Sequence, residues 1–234
     1  AKIFGARAVI YLAETVPPAF VRRLRDKGAD VVVEGADYEA SMAAAAKAAQ
    51  DNGWRLLSDS TWEADTTGRD VMEGYLALSA EMFAQYDAGN DAPPTHIYLQ
   101  AGVGGLAAAV AASLRHHWVD DVQVTVVEPS AAPALQESIR AGKPVETQGP
   151  ASNMGRLDCK EPSHLALKAL ARDADGFLTL EDSYVADKIK QLEPFGLQTS
   201  PSGGAGFAGV VADAVQLDPQ ARVLVILSEG PADD

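Results

Sequence analysis

The run Gln100-Ala101-Gly102-Val103-Gly104-Gly105-Leu106-Ala107 is the part of this sequence best suited to hold a ligand. It follows the apolar segment Thr95 to Leu99 and opens the Ala-rich stretch Ala107 to Leu114. Strand, glycine loop and helix in that order make a phosphate cradle. The glycines let the backbone turn sharply, and the helix behind them offers unpaired N–H groups and a positive dipole end to an anion. A phosphorylated cofactor is the ligand to expect. The spacing Gly102-x-Gly104-x-x-Ala107, with Glu128 ending the next strand, satisfies a dinucleotide fingerprint in which the acid holds a ribose. The same loop suits a single phosphate, or tight packing of helix on strand with no ligand, and Pro129 is equally explained as a strand terminator. These readings stay open at this level.

Other reactive side chains point to less. Cys159 is the only cysteine, which excludes an intrachain disulfide framework and suits a reducing cytoplasm. No histidine context favours it as a nucleophile, so it reads as a packed or loop thiol. The four histidines show no metal-ligand spacing, and His116 and His117 fall at a helix end. A formal charge of −14 argues against a nucleic-acid surface. The cluster Arg22, Arg23, Arg25 and Lys27 reads as the solvated face of a helix C-terminus. No apolar run approaches the roughly 20 residues of a membrane span.

The elements that position the loop alternate along the chain. Strands are expected at Ala8 to Leu12, Val31 to Glu34, Trp54 to Leu57, Thr95 to Leu99, Val122 to Glu128 and Arg222 to Leu227. Helices are expected at Pro17 to Lys27, Asp37 to Gln50, Asp70 to Tyr86, Ala131 to Ala141, Ser163 to Arg172 and Glu181 to Gln191, with one ending near Val215. Asp87 to Pro94 reads as a linker, Gly142 to Pro162 as irregular, and Gln198 to Gly204 as a Ser/Gly loop. Strands separated by helices pair in parallel, so the fold class is an α/β layered parallel sheet. The polar stretch from Ser58 marks a hinge between a small unit, 1–58, and a larger one, 59–234. Ala1 to Phe4 reads as the last turn of a helix stopped by Gly5, so an N-terminal part is expected to precede this chain.

Several segments in order resemble the fold-type-II, tryptophan-synthase-like family of pyridoxal-phosphate enzymes, and within it the diaminopropionate ammonia-lyase branch. Ala6 to Leu12, Pro17-Pro18 and Leu24 to Val31 resemble the small-domain βαβ unit. Asp59-Ser60-Thr61-Trp62-Glu63 with Gly74-Tyr75 resembles the branch pattern. Gln100 to Leu106 matches the phosphate loop, Asn153 to Cys159 with Glu161-Pro162-Ser163 a branch segment, Ser200 to Gly206 the family's Pro-Ser-Gly loop, and Leu227-Ser228-Glu229-Gly230 the end of the last sheet strand.

The resemblance implies two α/β subdomains and pyridoxal 5'-phosphate as cofactor. Its phosphate would lie on the backbone N–H groups of Gly102, Val103, Gly104, Gly105 and Leu106, and its ring nitrogen on Ser228. Asp59 is implied as a general acid/base at the substrate α-carbon, provided partial burial raises its pKa. From the residues themselves, Asp59, Ser60 or Thr61 could equally cap the following helix, Ser228 could satisfy a turn, and Trp62 could be core instead of a cleft wall. The implied reaction is elimination of ammonia from 2,3-diaminopropionate or a similar amino acid, giving pyruvate and ammonia, by a cytoplasmic homodimer. Threonine or serine dehydratase and cysteine synthase are the neighbouring reactions. An NAD-binding oxidoreductase and a non-catalytic subunit are the other classes. The lysine that carries the cofactor has a Ser/Asn-x-Lys-x-Arg-Gly context in the family, which none of Lys2, Lys27, Lys47, Lys143, Lys160, Lys168, Lys188 or Lys190 has. This chain alone is therefore expected to be inactive.

Overall fold

A computed structural model describes residues 1–61, 67–89, 92–118 and 122–231. By its internal contacts the chain divides into two compact units, Ala1–Leu57 and Ser58–Pro231.

In the first unit two parallel strands, β1 (Val9–Leu12) and β2 (Asp30–Val33), pair with Val9 opposite Asp30. Between them lies α1 (Pro18–Asp26), with proline in its first turn and Arg23 and Arg25 in its last, where cations suit the helix dipole. The chain continues into α2 (Tyr38–Asn52), whose N-cap Asp37 accepts from the Ala40 N–H at 2.8 Å. A 3-10 turn at Lys2–Phe4 ends on Gly5 in the left-handed region. The strand expected at Trp54 to Leu57 does not form. Among the described residues this segment pairs with no strand, and Trp54 and Leu57 are exposed, with Arg7 over the Trp54 ring instead.

The second unit is built on four parallel strands: β3 (His96–Gln100), β4 (Gln123–Pro129), β5 (Gly176–Leu180) and β6 (Val223–Val225), in the order β5-β4-β3-β6. Leu99 lies opposite Val126, and Tyr98 opposite Val225. Alternation sorts the side chains: Ile97, Leu99, Val124 and Val126 join one buried cluster, Tyr98 and Val127 the other. The first cluster includes residues of α5 (Gly105–His117) and α7 (His164–Asp173), and the second residues of α8 (Asp182–Lys188) and α9 (Pro201–Asp213). Helices on both faces of a parallel sheet are the expected α/β layering. β5 was not anticipated from sequence, because an edge strand of five residues with only Leu180 buried leaves a weak pattern.

Two further expectations are corrected. The helix expected over Asp70 to Tyr86 is two, α3 (Thr67–Gly74) and α4 (Leu76–Gly89), broken after Gly74, a poor helix former. The Ser/Gly loop at 198–204 is largely helix, since α9 starts at Pro201 with Ser200 as its cap, accepting from the Gly203 N–H at 3.0 Å. Glycine is tolerated inside α9 because the helix lies against the sheet: a Cβ on Gly206 would sit 2.6 Å from the Tyr98 carbonyl. Between β4 and α7 lies α6 (Ala134–Ala141). Among the described residues, no helix is long and apolar enough to cross a membrane.

Candidate active site

Ligands of open parallel sheets bind beyond the C-terminal strand ends, where neighbouring connections diverge. Here that place lies between β3, which leads through α5 to β4 on one side, and β6 on the other. The chain puts the glycine loop there, starting two residues past the end of β3, and Ser228, three residues past the end of β6.

The loop owes its course to local sterics. A Cβ on Gly102 would lie 2.8 Å from the Arg156 carbonyl and 3.0 Å from Cys159 Sγ, so no larger residue fits unless the 156–159 segment moves. Gly104 has φ of 97°, open to glycine and costly for other residues, and it is the N-cap of α5 without a side-chain cap bond. Among the described residues, the backbone N–H groups of Gly102, Val103, Gly104, Gly105 and Leu106 have no protein acceptor, although the loop is largely buried. The first backbone bond of α5 runs from Ala108 to the Gly104 carbonyl. Buried amides without partners are costly, and five in succession at a helix start form a site for an anion.

Glu128 does not take part in that site, which corrects the dinucleotide reading. Its carboxylate is fully buried and accepts from the N–H groups of Leu135 at 2.7 Å and Gln136 at 2.8 Å. It caps α6 and has no exposed oxygen for a ribose. Burial pushes its pKa up to about 7, against the two backbone donors that lower it.

Asp59 lies beside the loop: its carbonyl oxygen is 3.9 Å from a Cβ built on Gly105, which also meets Tyr75 at 3.8 Å. Burial, and then the Asp59 charge, hold the Tyr75 phenol above its usual range. The burial expected of Asp59 is not found, since its side chain is exposed. Of the three residues offered as caps of the following helix, Thr61 is used instead at the start of α7, where its hydroxyl accepts from the Leu165 N–H. Trp62 and Glu63 lie outside the described residues.

Thr61 and Ser163 form a strut that sequence reasoning missed. Their hydroxyls are 2.9 Å apart; the Thr61 N–H donates to Ser163 Oγ at 3.2 Å, and the Leu165 N–H donates to Thr61 Oγ1 at 3.0 Å. The Ser163 N–H in turn donates to the Val103 carbonyl at 3.0 Å. The segment carrying Asp59 thus caps α7 and is tied through Ser163 to the glycine loop. The only sequence signal was a buried-looking Ser before a helix, and its partner lies about a hundred residues away.

Ser228 follows β6 and accepts from Gln100 Nε2 at 3.0 Å. The next residue is held firmly: Thr199 Oγ1 donates to the Glu229 carbonyl at 2.8 Å, and the Glu229 carboxylate pairs with Arg156 Nε and with Ser200 Oγ. Cys159, buried against Gly102, is a packed thiol as expected.

The family described as pyridoxal-phosphate dependent enzyme matches residues 1–229. A diaminopropionate ammonia-lyase of Escherichia coli strain K12 is 31% identical over 100% of this chain and 63% of its own length. One of Salmonella typhimurium is 29% identical over 98% of this chain and 62% of its own. A crystal structure of the Escherichia coli diaminopropionate ammonia-lyase, in complex with an aminoacrylate-PLP azomethine intermediate, superposes with a TM-score of 0.89 at 29% identity, covering 97% of this chain and 62% of that one. The chain thus spans less than two thirds of the length of these relatives.

Proposed function

The chain belongs to the pyridoxal-phosphate dependent enzyme family, and from that premise we propose that the protein containing it is an ammonia-lyase acting on 2,3-diaminopropionate or a similar β-substituted amino acid. The observation that carries the proposal is the row of five unpartnered amides, Gly102 to Leu106, at the start of α5. A cradle of that size suits one phosphate. Similarity to diaminopropionate ammonia-lyases over nearly the whole chain supports the choice of reaction.

In this proposal the amides of Gly102, Val103, Gly104, Gly105 and Leu106 hold the phosphate without a cation. Ser228 donates to the ring nitrogen and leaves it uncharged. When bound, pyridoxal phosphate draws electrons from the substrate α-carbon into its ring. Asp59 moves a proton at that carbon, and loss of the β-amino group leaves a product that hydrolyses to pyruvate and a second ammonia. Asp59 is exposed in this chain, so in this proposal its carboxylate is shielded from water by groups beyond these residues, bound substrate among them. No lysine of this chain is assigned to the cofactor. A homodimer in the cytoplasm completes the proposal.

The test uses the full-length protein. A visible absorption band abolished by borohydride, with the cofactor mapped to a lysine, and release of pyruvate and ammonia from 2,3-diaminopropionate are expected. Asp59→Asn should lower turnover by roughly 100-fold while cofactor uptake persists. Faster turnover of serine or threonine would move the protein to the dehydratases. No uptake of pyridoxal phosphate would overturn the proposal, and sedimentation would reveal whether a dimer forms.

A further inference from the structure

Gln100 ends β3, directly before the glycine loop, and is buried at 4% exposure. Its side-chain nitrogen shares two protons among three acceptors, the Gly203 carbonyl at 3.1 Å, the Ile226 carbonyl at 2.8 Å and Ser228 Oγ at 3.0 Å. Two carbonyls among these acceptors settle which end of the amide is nitrogen, since a flipped side chain would set oxygen against oxygen. The amide oxygen, in contrast, is buried with no partner among the described residues, and a Cβ on Gly206 would come within 2.9 Å of it. An unpaired buried acceptor is costly, so an apolar side chain would fill this space more favourably. What the glutamine supplies is its donor.

A serine hydroxyl has one proton and two lone pairs. The Gln100 nitrogen facing Ser228 Oγ can donate and cannot accept, so the Ser228 proton must point elsewhere, and among the described residues no protein acceptor for it lies within hydrogen-bond distance. Ser228 is exposed, while the backbone on either side is anchored at Ile226 by Gln100 and at Glu229 by Thr199. We propose that Gln100 is a positioning residue that makes Ser228 a one-way hydrogen-bond donor to the cofactor ring nitrogen, and so holds that nitrogen unprotonated. The inference rests on the pyridoxal-phosphate reading above.

The experiment uses the full-length protein loaded with pyridoxal phosphate labelled with 15N in the ring, and follows the ring-nitrogen resonance, the cofactor Kd and the steady-state constants. In the parent protein the resonance should be that of an unprotonated pyridine. Gln100→Leu should move it and lower kcat by about tenfold, the scale of one lost hydrogen bond, with KM and cofactor Kd changed far less. In a Ser228→Ala background the same substitution should move the resonance no further. An unmoved resonance in Gln100→Leu, or an equal shift in both backgrounds, overturns the inference and leaves the cofactor assignment intact. A parent protein that takes up no pyridoxal phosphate overturns both. A second measurement needs no variant: the Gln100 side-chain amide resonance should shift on binding pyridoxal phosphate and not on binding inorganic phosphate. An equal response to both ligands, or none to the cofactor, also overturns the inference.

Discussion

The neighbouring strands β3 and β4 each run into a helix, and the two helix starts are completed in opposite ways. At α6 the last part of the preceding strand supplies the acceptor itself, with the two Glu128 carboxyl oxygens accepting from Leu135 and Gln136. At α5 the cap is Gly104, which has no side chain to offer, and the amides from Gly102 onward are left without a protein partner among the described residues. Both ends attract negative charge for the same reason, unpaired N–H groups and an aligned dipole. One is filled from within and stabilises the fold. The other has no protein acceptor among the described residues, which is what the proposed phosphate site rests on, and the buried acid of the next strand is already engaged, so it holds no ribose.

The contrast breaks most severely at the open end. In Gly102→Ala the added carbon meets the Arg156 carbonyl at 2.8 Å and displaces the loop. Pyridoxal phosphate should bind on the order of 100-fold more weakly to the full-length protein by fluorescence titration, as if two or three amide bonds were lost. A change within twofold would place the phosphate elsewhere.

At the filled end, Glu128→Leu should cost about 2–3 kcal/mol in urea unfolding, because two helix N–H groups lose their acceptor in a buried place. An unchanged midpoint would show that water satisfies them as well.

Charge gives a finer contrast. The folded protein holds the Glu128 pKa at about 7, above its usual 4.5, so between those values the native state binds more protons than the unfolded one. This group's contribution is therefore fully present at low pH and declines as pH rises through the window from about 4.5 to 7. In thermal melts from pH 4 to 8, Glu128→Gln should lack that component; parallel curves for the two proteins would refute the assignment.

The smallest effect is expected at the strut between the Asp59 segment and the loop. Thr61→Val removes the hydroxyl that pairs with Ser163 and caps Leu165, for about 1 kcal/mol, while Thr61→Ser retains it. Equal losses in the two variants would assign the effect to the methyl group instead.

Much of this architecture could be read along the chain. Val124 to Val127 is dense in β-branched residues, as a parallel strand covered on both faces must be, Asp37 caps α2 from the adjacent position, and Gly102 to Gly105 follow an apolar run and precede an Ala-rich one. Each of these signals lies within a few residues of its effect. The signals that misled were local as well. The Gly and Ser of 198–204 look like a loop because their helix propensity is low, and only the close approach of α9 to β3 outweighs that cost. Trp54 to Leu57 has strand composition but finds no partner strand among the described residues.

The sequence by itself determined the α/β order, the glycine cradle and, through the succession of its segments, the family. Tertiary structure alone decided what the buried polar side chains with distant partners do. Glu128 became a helix cap, not a ribose ligand. Thr61 met Ser163, and Gln100 met Ser228, across more than a hundred residues each. The reason is physical: backbone preferences act over one or two helical turns. The partner of a buried polar group is whatever atom the packed sheet and helices bring within 3 Å of it, and no local pattern records that distance.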